Sequence, residues 1–186
     1  MILPIYTYGQ PILRKENQPI DTDYPDLKKL VEDMFETMHH AEGIGLAAPQ
    51  IGLSLRMFVI DGDALADKSP ECRNFKRVMI NPEILETSKE TISLEEGCLS
   101  FPGIHEKVIR AAKIRIKYFD ADFNEHEEDL NGFAARIAQH EYEHLEGRVF
   151  IDSLSPIRKQ LNKNKLNKLI KGKTVCDYKI KSFQSK

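Results

Sequence analysis

Gln139-His140-Glu141-Tyr142-Glu143-His144-Leu145-Glu146-Gly147 decides the fold, because it contains His-Glu-x-x-His. Positions four apart on a helix stand one above the other, so His140 and His144 aim two imidazoles at one point. Glu141 stands close to that face, within reach of a water on a divalent cation without being a ligand itself. A hydrolytic cation needs neutral imidazoles and a nearby carboxylate base, and this spacing supplies both. The plain alternative is two ordinary histidines and a solvated acidic face. The flanking residues bear on the choice. Phe133, Ile137, His140, Glu141 and His144 keep to one side, and Ala134, Ala135 and Ala138 are good helix formers that allow close packing. Asn131 is a predicted N-cap and Gly147 a predicted C-terminal stop. Small residues all round predict a helix buried in the domain, where a metal removes the cost of an unpaired imidazole or carboxylate.

The rest of the chain is long enough to bury such a helix. It has 186 residues, 41% hydrophobic and 30% charged, which suits one folded domain and argues against global disorder. The start, Met1-Ile2-Leu3-Pro4-Ile5-Tyr6, lacks a basic stretch and a long apolar run, and no segment approaches membrane-spanning length. Three widely spaced cysteines, Cys72, Cys98 and Cys176, disfavour a disulfide framework and suit a reducing cytosol, so a cytoplasmic protein without a membrane partner is expected. Net charge is −2 but uneven: residues 156–181 hold nine Lys/Arg against one acid, and the remainder holds 18 against 28. A basic tail on an acidic body suits a polyanionic partner such as RNA; a solvated amphipathic helix explains it as well and is preferred.

Upstream, residues 1–20 read as irregular, punctuated by Pro4, Pro11 and Pro19. Pro25 is predicted to open an amphipathic helix carrying Leu27, Leu30, Val31, Met34, Phe35 and Met38, ending near His39-His40. Glu42 to Gly52 is too short of glycines for a phosphate loop and reads as a strand-like segment able to pair with an extended peptide. Within it Gln50 is either a satisfied core amide or a donor into a site. Strands are predicted over 55–60, over 78–81 with a stop at Pro82, from Thr91 to Leu94, and over 113–119; residues 61–76 read as a surface loop. Residues 125–130 return as a polar strand. Downstream, 149–151 is a strand or packing segment, Pro156 opens a basic helix with Ile157, Leu161, Leu166, Leu169 and Ile170, and 174–181 adds a short strand. The expected fold is α+β: mixed or antiparallel strands packed around a central metal-binding helix, with an amphipathic helix before it and a basic helix after it.

A catalytic metal needs a third protein ligand, drawn from the remaining His, Cys and acidic residues. Cys98 stands out by its setting, Glu96-Gly97-Cys98-Leu99-Ser100. That stretch, Gly43-Ile44-Gly45-Leu46-Ala47-Ala48-Pro49-Gln50, and the opening nonapeptide, in this order and spacing, resemble the peptide deformylase family over residues 1–155. The resemblance implies a catalytic domain over 1–155, with 156–186 as a basic helix and short strand of the same domain. It implies Cys98, His140 and His144 as ligands of one divalent metal, Fe²⁺ in the cell, with Zn²⁺, Ni²⁺ or Co²⁺ able to substitute. It implies Glu141 as general base and acid, and Gln50 with the Leu99 backbone N–H as oxyanion donors. Ile44, Gly45 and Gly103 would line the peptide groove, and Ile137, one turn before His140, is placed to wall a methionine pocket. The implied substrates are N-formylmethionyl nascent peptides, and the basic helix would be a ribosome contact. Two residues depart from the usual family pattern: Glu143 stands where most members carry Asp, and His105 where many carry Arg. A zinc endopeptidase and a structural-metal RNA-binding domain are the competing readings. The first lacks a downstream His ligand and the second lacks an evident fourth ligand.

Overall fold

The computed structural model describes residues 1–184. Its element order is β1 (Ile5–Tyr6), α1 (Leu27–His40), β2 (Gly45–Ala47), β3 (Met57–Asp61), β4 (Lys76–Thr87), β5 (Thr91–Gly97), β6 (His105–Ala111), β7 (Lys113–Phe119), β8 (Glu125–Asn131), α2 (Gly132–Leu145), α3 (Pro156–Ile170) and β9 (Ile180–Lys181). Five strands form an antiparallel sheet in the order β2-β3-β4-β7-β8; β5 and β6 form a separate hairpin, and β1 pairs with β9 in parallel. The architecture is α+β, as expected.

Strand β3 explains the layering. Successive side chains of a strand point to opposite faces. Phe58 and Ile60 pack with Ala134, Ala135, Ile137 and Ala138 of α2, while Met57 and Val59 pack with Val31, Met34 and Met38 of α1. A strand covered on both faces is apolar throughout, and these four side chains are wholly buried. The central helix is therefore walled by sheet, and its small residues let β2 and β3 approach closely.

The C-terminal residues close the molecule. Leu166 and Leu169 of α3 join Phe101, Ile104, Val108 and Phe150 in a third cluster. Glu106 takes hydrogen bonds from Arg158 (2.8 Å) and Asn162 (2.5 Å), tying α3 to the β5–β6 hairpin. Ile157 and Leu161, expected on the apolar face, are 73% and 66% exposed, whereas Asn162 is buried. The helix docks through a buried asparagine–carboxylate contact as much as through leucines, which turns its first two apolar residues outward.

Other expectations shift at the edges. α1 begins at Leu27, not Pro25, because Asp26 takes a left-handed conformation at φ 55°. β4 does not stop at Pro82; it runs on to Thr87 with register shifts between Ile80 and Glu83 and between Ile84 and Glu86. A bulge absorbs the residue that has no N–H to give. The amino-terminal segment contributes β1, and the late strand of 174–181 is regular only at Ile180–Lys181. Of the two readings of 149–151 the packing segment holds: Val149, Phe150 and Ile151 are buried in the third cluster, and residues 150–153 form a 3₁₀ turn. Ser185 and Lys186, the end of the expected tail, lie outside the described residues.

Candidate active site

Three short segments converge at one point. α2 presents His140 and His144 from successive turns, with ring centroids 5.2 Å apart. Asn131 occupies the N-cap, but its side chain makes no capping bond; the Phe133 N–H is instead taken by Glu71 Oε1 at 2.7 Å. β5 ends at Gly97, and the turn that follows, closed by Phe101 N–H to Cys98 O (2.8 Å), delivers Cys98. Ligand atoms of Cys98, His140 and His144 all lie within 4.8 Å of one another, and Cys98 Sγ stands 3.4 Å from His144 Nε2.

The donor set suits a divalent cation: one soft thiolate and two imidazoles, with a fourth position left to a small molecule. Both histidines and Glu141 are buried, and Glu141 Oε2 has no hydrogen-bond partner among the described residues. A buried carboxylate oxygen without a partner is costly, so this one fits a site that receives something from outside. Burial pushes the Glu141 carboxyl up to about 7. Burial also disfavours charge on both rings. At His140, bonds to Cys98 and Glu96 outweigh it and hold the pKa well above the ordinary value. At His144, burial together with the neighbouring His140 and Arg110 holds it well below.

Behind His140 lies a charge network that no motif announced. His140 Nδ1 meets Glu96 Oε2 at 2.9 Å. Glu96 also accepts from Arg110 Nη2 (2.9 Å) and from Arg136 Nη1 (2.5 Å). Burial acts to raise the Glu96 carboxyl, but the bonds from His140 and Arg110 prevail and bring it down to about 2. Glu143 closes the network from outside, accepting from Arg110 at 3.1 Å. Glu143, one of the two residues expected to depart from the family pattern, thus makes an outer contact, with a guanidinium.

Gln50 is wholly oriented. Its Oε1 accepts the Ala47 N–H at 2.8 Å, which leaves the amide donors facing Cys98 Sγ (3.5 Å) and Ser100 Oγ (3.2 Å). The Leu99 N–H has no partner among the described residues. β2 is an edge strand, bonded on one side to β3, so the backbone at Ile44 and Gly45 borders the cavity. A side chain at Gly45 would meet Glu141: a Cβ there would stand 2.8 Å from its Cδ. One cavity of about 520 Å³ is lined by Ile44, Gly45, Gln50, Cys98, Leu99, Gly103, Ile137, His140 and Glu141. His144 lies behind it, joined through Cys98.

A family model described as polypeptide deformylase matches residues 2–160. This chain belongs to the peptide deformylase family. Among its relatives, the peptide deformylase of Christiangramia forsetii is 45% identical over 188 residues, covering 97% of this chain and 96% of the relative. That of Cytophaga hutchinsonii is 47% identical over 181 residues, covering 97% of each. The crystal structure of a peptide deformylase from Legionella pneumophila superposes with a TM-score of 0.80 at 40% identity, covering 90% of this chain and 95% of that one. Peptide deformylases are metal-dependent hydrolases that remove the formyl group from an N-terminal methionine, and the Cys98, His140 and His144 cluster is able to hold a metal ion. Neither the endopeptidase nor the structural-metal reading finds support in these relationships. Sequence reasoning assigned no role to Glu96, Arg110, Arg136 or Ser100 of this deformylase site; only the places of Glu96 and Ser100 within Glu96-Gly97-Cys98-Leu99-Ser100 offered a signal.

Proposed function

We propose that the chain removes the N-formyl group from the initiator methionine of newly made polypeptides and releases formate. The observation that carries this reading is the thiol and two imidazoles gathered beside the unpartnered carboxylate of Glu141 in one cavity. Cys98, His140 and His144 hold the metal. When bound, that cation supplies Lewis acidity to the formyl carbonyl and to the attacking water. Fe²⁺ is the proposed cellular metal, with Zn²⁺, Ni²⁺ or Co²⁺ as substitutes, because one thiolate beside two imidazoles suits all of them.

Glu141 takes the proton from the attacking water and returns it to the leaving amine. Its carboxyl, pushed up to about 7, is matched to doing both near neutral pH. Gln50 Nε2 and the Leu99 N–H donate to the oxygen on which charge develops; both are fixed by the fold before substrate arrives. Ile44 and Gly45 offer edge-strand backbone to an extended substrate. Ile137, buried and on the cavity wall, packs against the methionine side chain. Gly103, at φ +75°, turns the chain at the cavity rim in a conformation other residues rarely adopt.

Residues 1–155 form the catalytic body, and α3 with the terminal strand belongs to the same domain, as the shared third cluster supports. The outward face of α3, with Ile157 and Leu161 among lysines, is proposed to meet the ribosome. A cytoplasmic location follows from the substrate and suits three free cysteines. The test is anaerobic purification, metal analysis and formate release from formyl-Met-Ala-Ser, run beside an internal-peptide substrate. One metal per chain and formate in step with free amine are expected. Cleavage of the internal peptide without formate release would overturn the reading.

A further inference from the structure

We infer that the C-terminal segment Cys176-Asp177-Tyr178 is the wall of the groove that reads substrate residues beyond the formyl-methionine, and that Asp177 favours cationic side chains there. This rests on the deformylase reading above. The segment lies beyond the residues that the family model covers, yet it lines the same cavity as Cys98, His140 and Glu141. The partnerless Glu141 oxygen, buried on that cavity, marks where a ligand enters.

The wall is fastened on both sides. Tyr178 Oη donates to the Leu99 carbonyl at 2.8 Å, next to Cys98 in sequence. Just beyond, the Ile5 N–H donates to Lys179 O (2.9 Å) and the Thr7 N–H to Lys181 O (3.1 Å), while Gln10 Nε2 reaches Ser182 O at 3.0 Å. A chain end held by four such bonds presents Asp177 in a set place. Its carboxylate is exposed and makes no hydrogen bond or ion pair among the described residues.

The charge around it is mostly negative. Glu42 and Glu95, also exposed on this cavity, are likewise without partners among the described residues. Among the described residues the one Lys or Arg lining the cavity is Arg136, whose guanidinium is spent on Glu96 and on the carbonyls of Val108 and Ile92. Lys165, whose ammonium bonds the Gly103 carbonyl at 3.1 Å, sets one positive charge at the rim against the three carboxylates of Asp177, Glu42 and Glu95. A peptide leaving the metal site therefore meets a negative rim, which attracts Lys or Arg and repels Asp or Glu.

The test compares kcat/KM for formyl-Met peptides carrying Lys or Glu at the second, third or fourth residue. The wild-type enzyme is expected to prefer Lys at one or more of these positions. Asp177→Asn should shrink the Lys/Glu ratio by about two- to fivefold, the range of an exposed ion pair, and Asp177→Lys should shrink it further. The change should lie mainly in KM and fade in 0.5 M salt, as a screened charge effect does. Asp177 bonds to nothing among the described residues, so both variants keep the fold, which thermal melting checks. A wild-type enzyme indifferent to Lys and Glu, or ratios unmoved in both variants, overturns the inference. Failure of the wild-type enzyme to release formate even from formyl-Met-Ala overturns the deformylase reading, and this one with it.

Discussion

Replacing Glu96 by Gln tests whether the buried network holds His140 in place. Glu96 accepts from Arg110, Arg136 and His140, and all four residues are buried. Gln keeps the shape but removes the charge, and its amide turns donors towards donors. Breaking a buried ion pair by removing one partner costs about 3–5 kcal/mol. The pKa gives a second route to the same size. Glu96 falls from an ordinary 4.5 to about 2, which corresponds to about 3 kcal/mol of stabilisation by the folded state. The sign is definite. A depressed carboxyl stabilises fully above its unfolded pKa, and that contribution disappears as pH falls from 4.5 towards 2. Urea unfolding followed by circular dichroism, with chelator present so that metal adds nothing, should show Glu96→Gln about 3–5 kcal/mol less stable at pH 7. Between pH 5 and pH 3 the wild-type protein should lose stability more steeply than the variant. Loss of the carboxylate behind a proposed metal ligand, His140, should also weaken metal affinity by about 10–100-fold in a chelator competition. A variant within about 1 kcal/mol of wild type, with unchanged metal affinity, would refute the positioning role.

Further outcomes follow from single contacts. Gly45→Ala should place a Cβ against Glu141, so formate release should fall at least about tenfold with metal content unchanged; normal turnover would show that Glu141 has room to move. Glu106→Ala should leave Arg158 and Asn162 without their shared carboxylate, costing about 1–3 kcal/mol, and should expose α3 to limited trypsin digestion. Equal digestion rates would mean that Leu166 and Leu169 alone hold the helix.

The legible parts of the fold are those where one periodicity met one face. α2 was readable because alanines, two histidines four apart and Gly147 all agree on a buried helix. β3 was readable because it is apolar on both sides. β6 was not, since its inward positions include Glu106 and Arg110, so the polar–apolar alternation vanishes where the buried residues are charged. α3 was legible as a helix opened by Pro156 but not in its buried face, since Asn162 is inside and Leu161 outside. Glu71, from a stretch that reads only as surface loop, supplies the bond that caps α2, a long-range contact with no local signature. The residues beside the candidate metal site announced themselves by motif. Glu96 lies inside the Glu96-Gly97-Cys98-Leu99-Ser100 motif but its role there was not announced, and Arg110 and Arg136 lie outside every motif, because a buried ion network has no preferred spacing in sequence. Asp177 came to the cavity through long-range contacts, the pairing of β9 with β1 and the Tyr178–Leu99 bond, which join distant parts of the chain.

The central claim is that Glu141 moves the proton while Cys98, His140 and His144 hold the metal. Its most direct test is the rate of formate release from formyl-Met-Ala-Ser by Glu141→Gln, with metal content measured in the same sample. One metal per chain, as in wild type, and a rate lower by about 10²–10⁴-fold is the expected result. A metal-loaded Glu141→Gln enzyme that releases formate within a few-fold of wild type would contradict it.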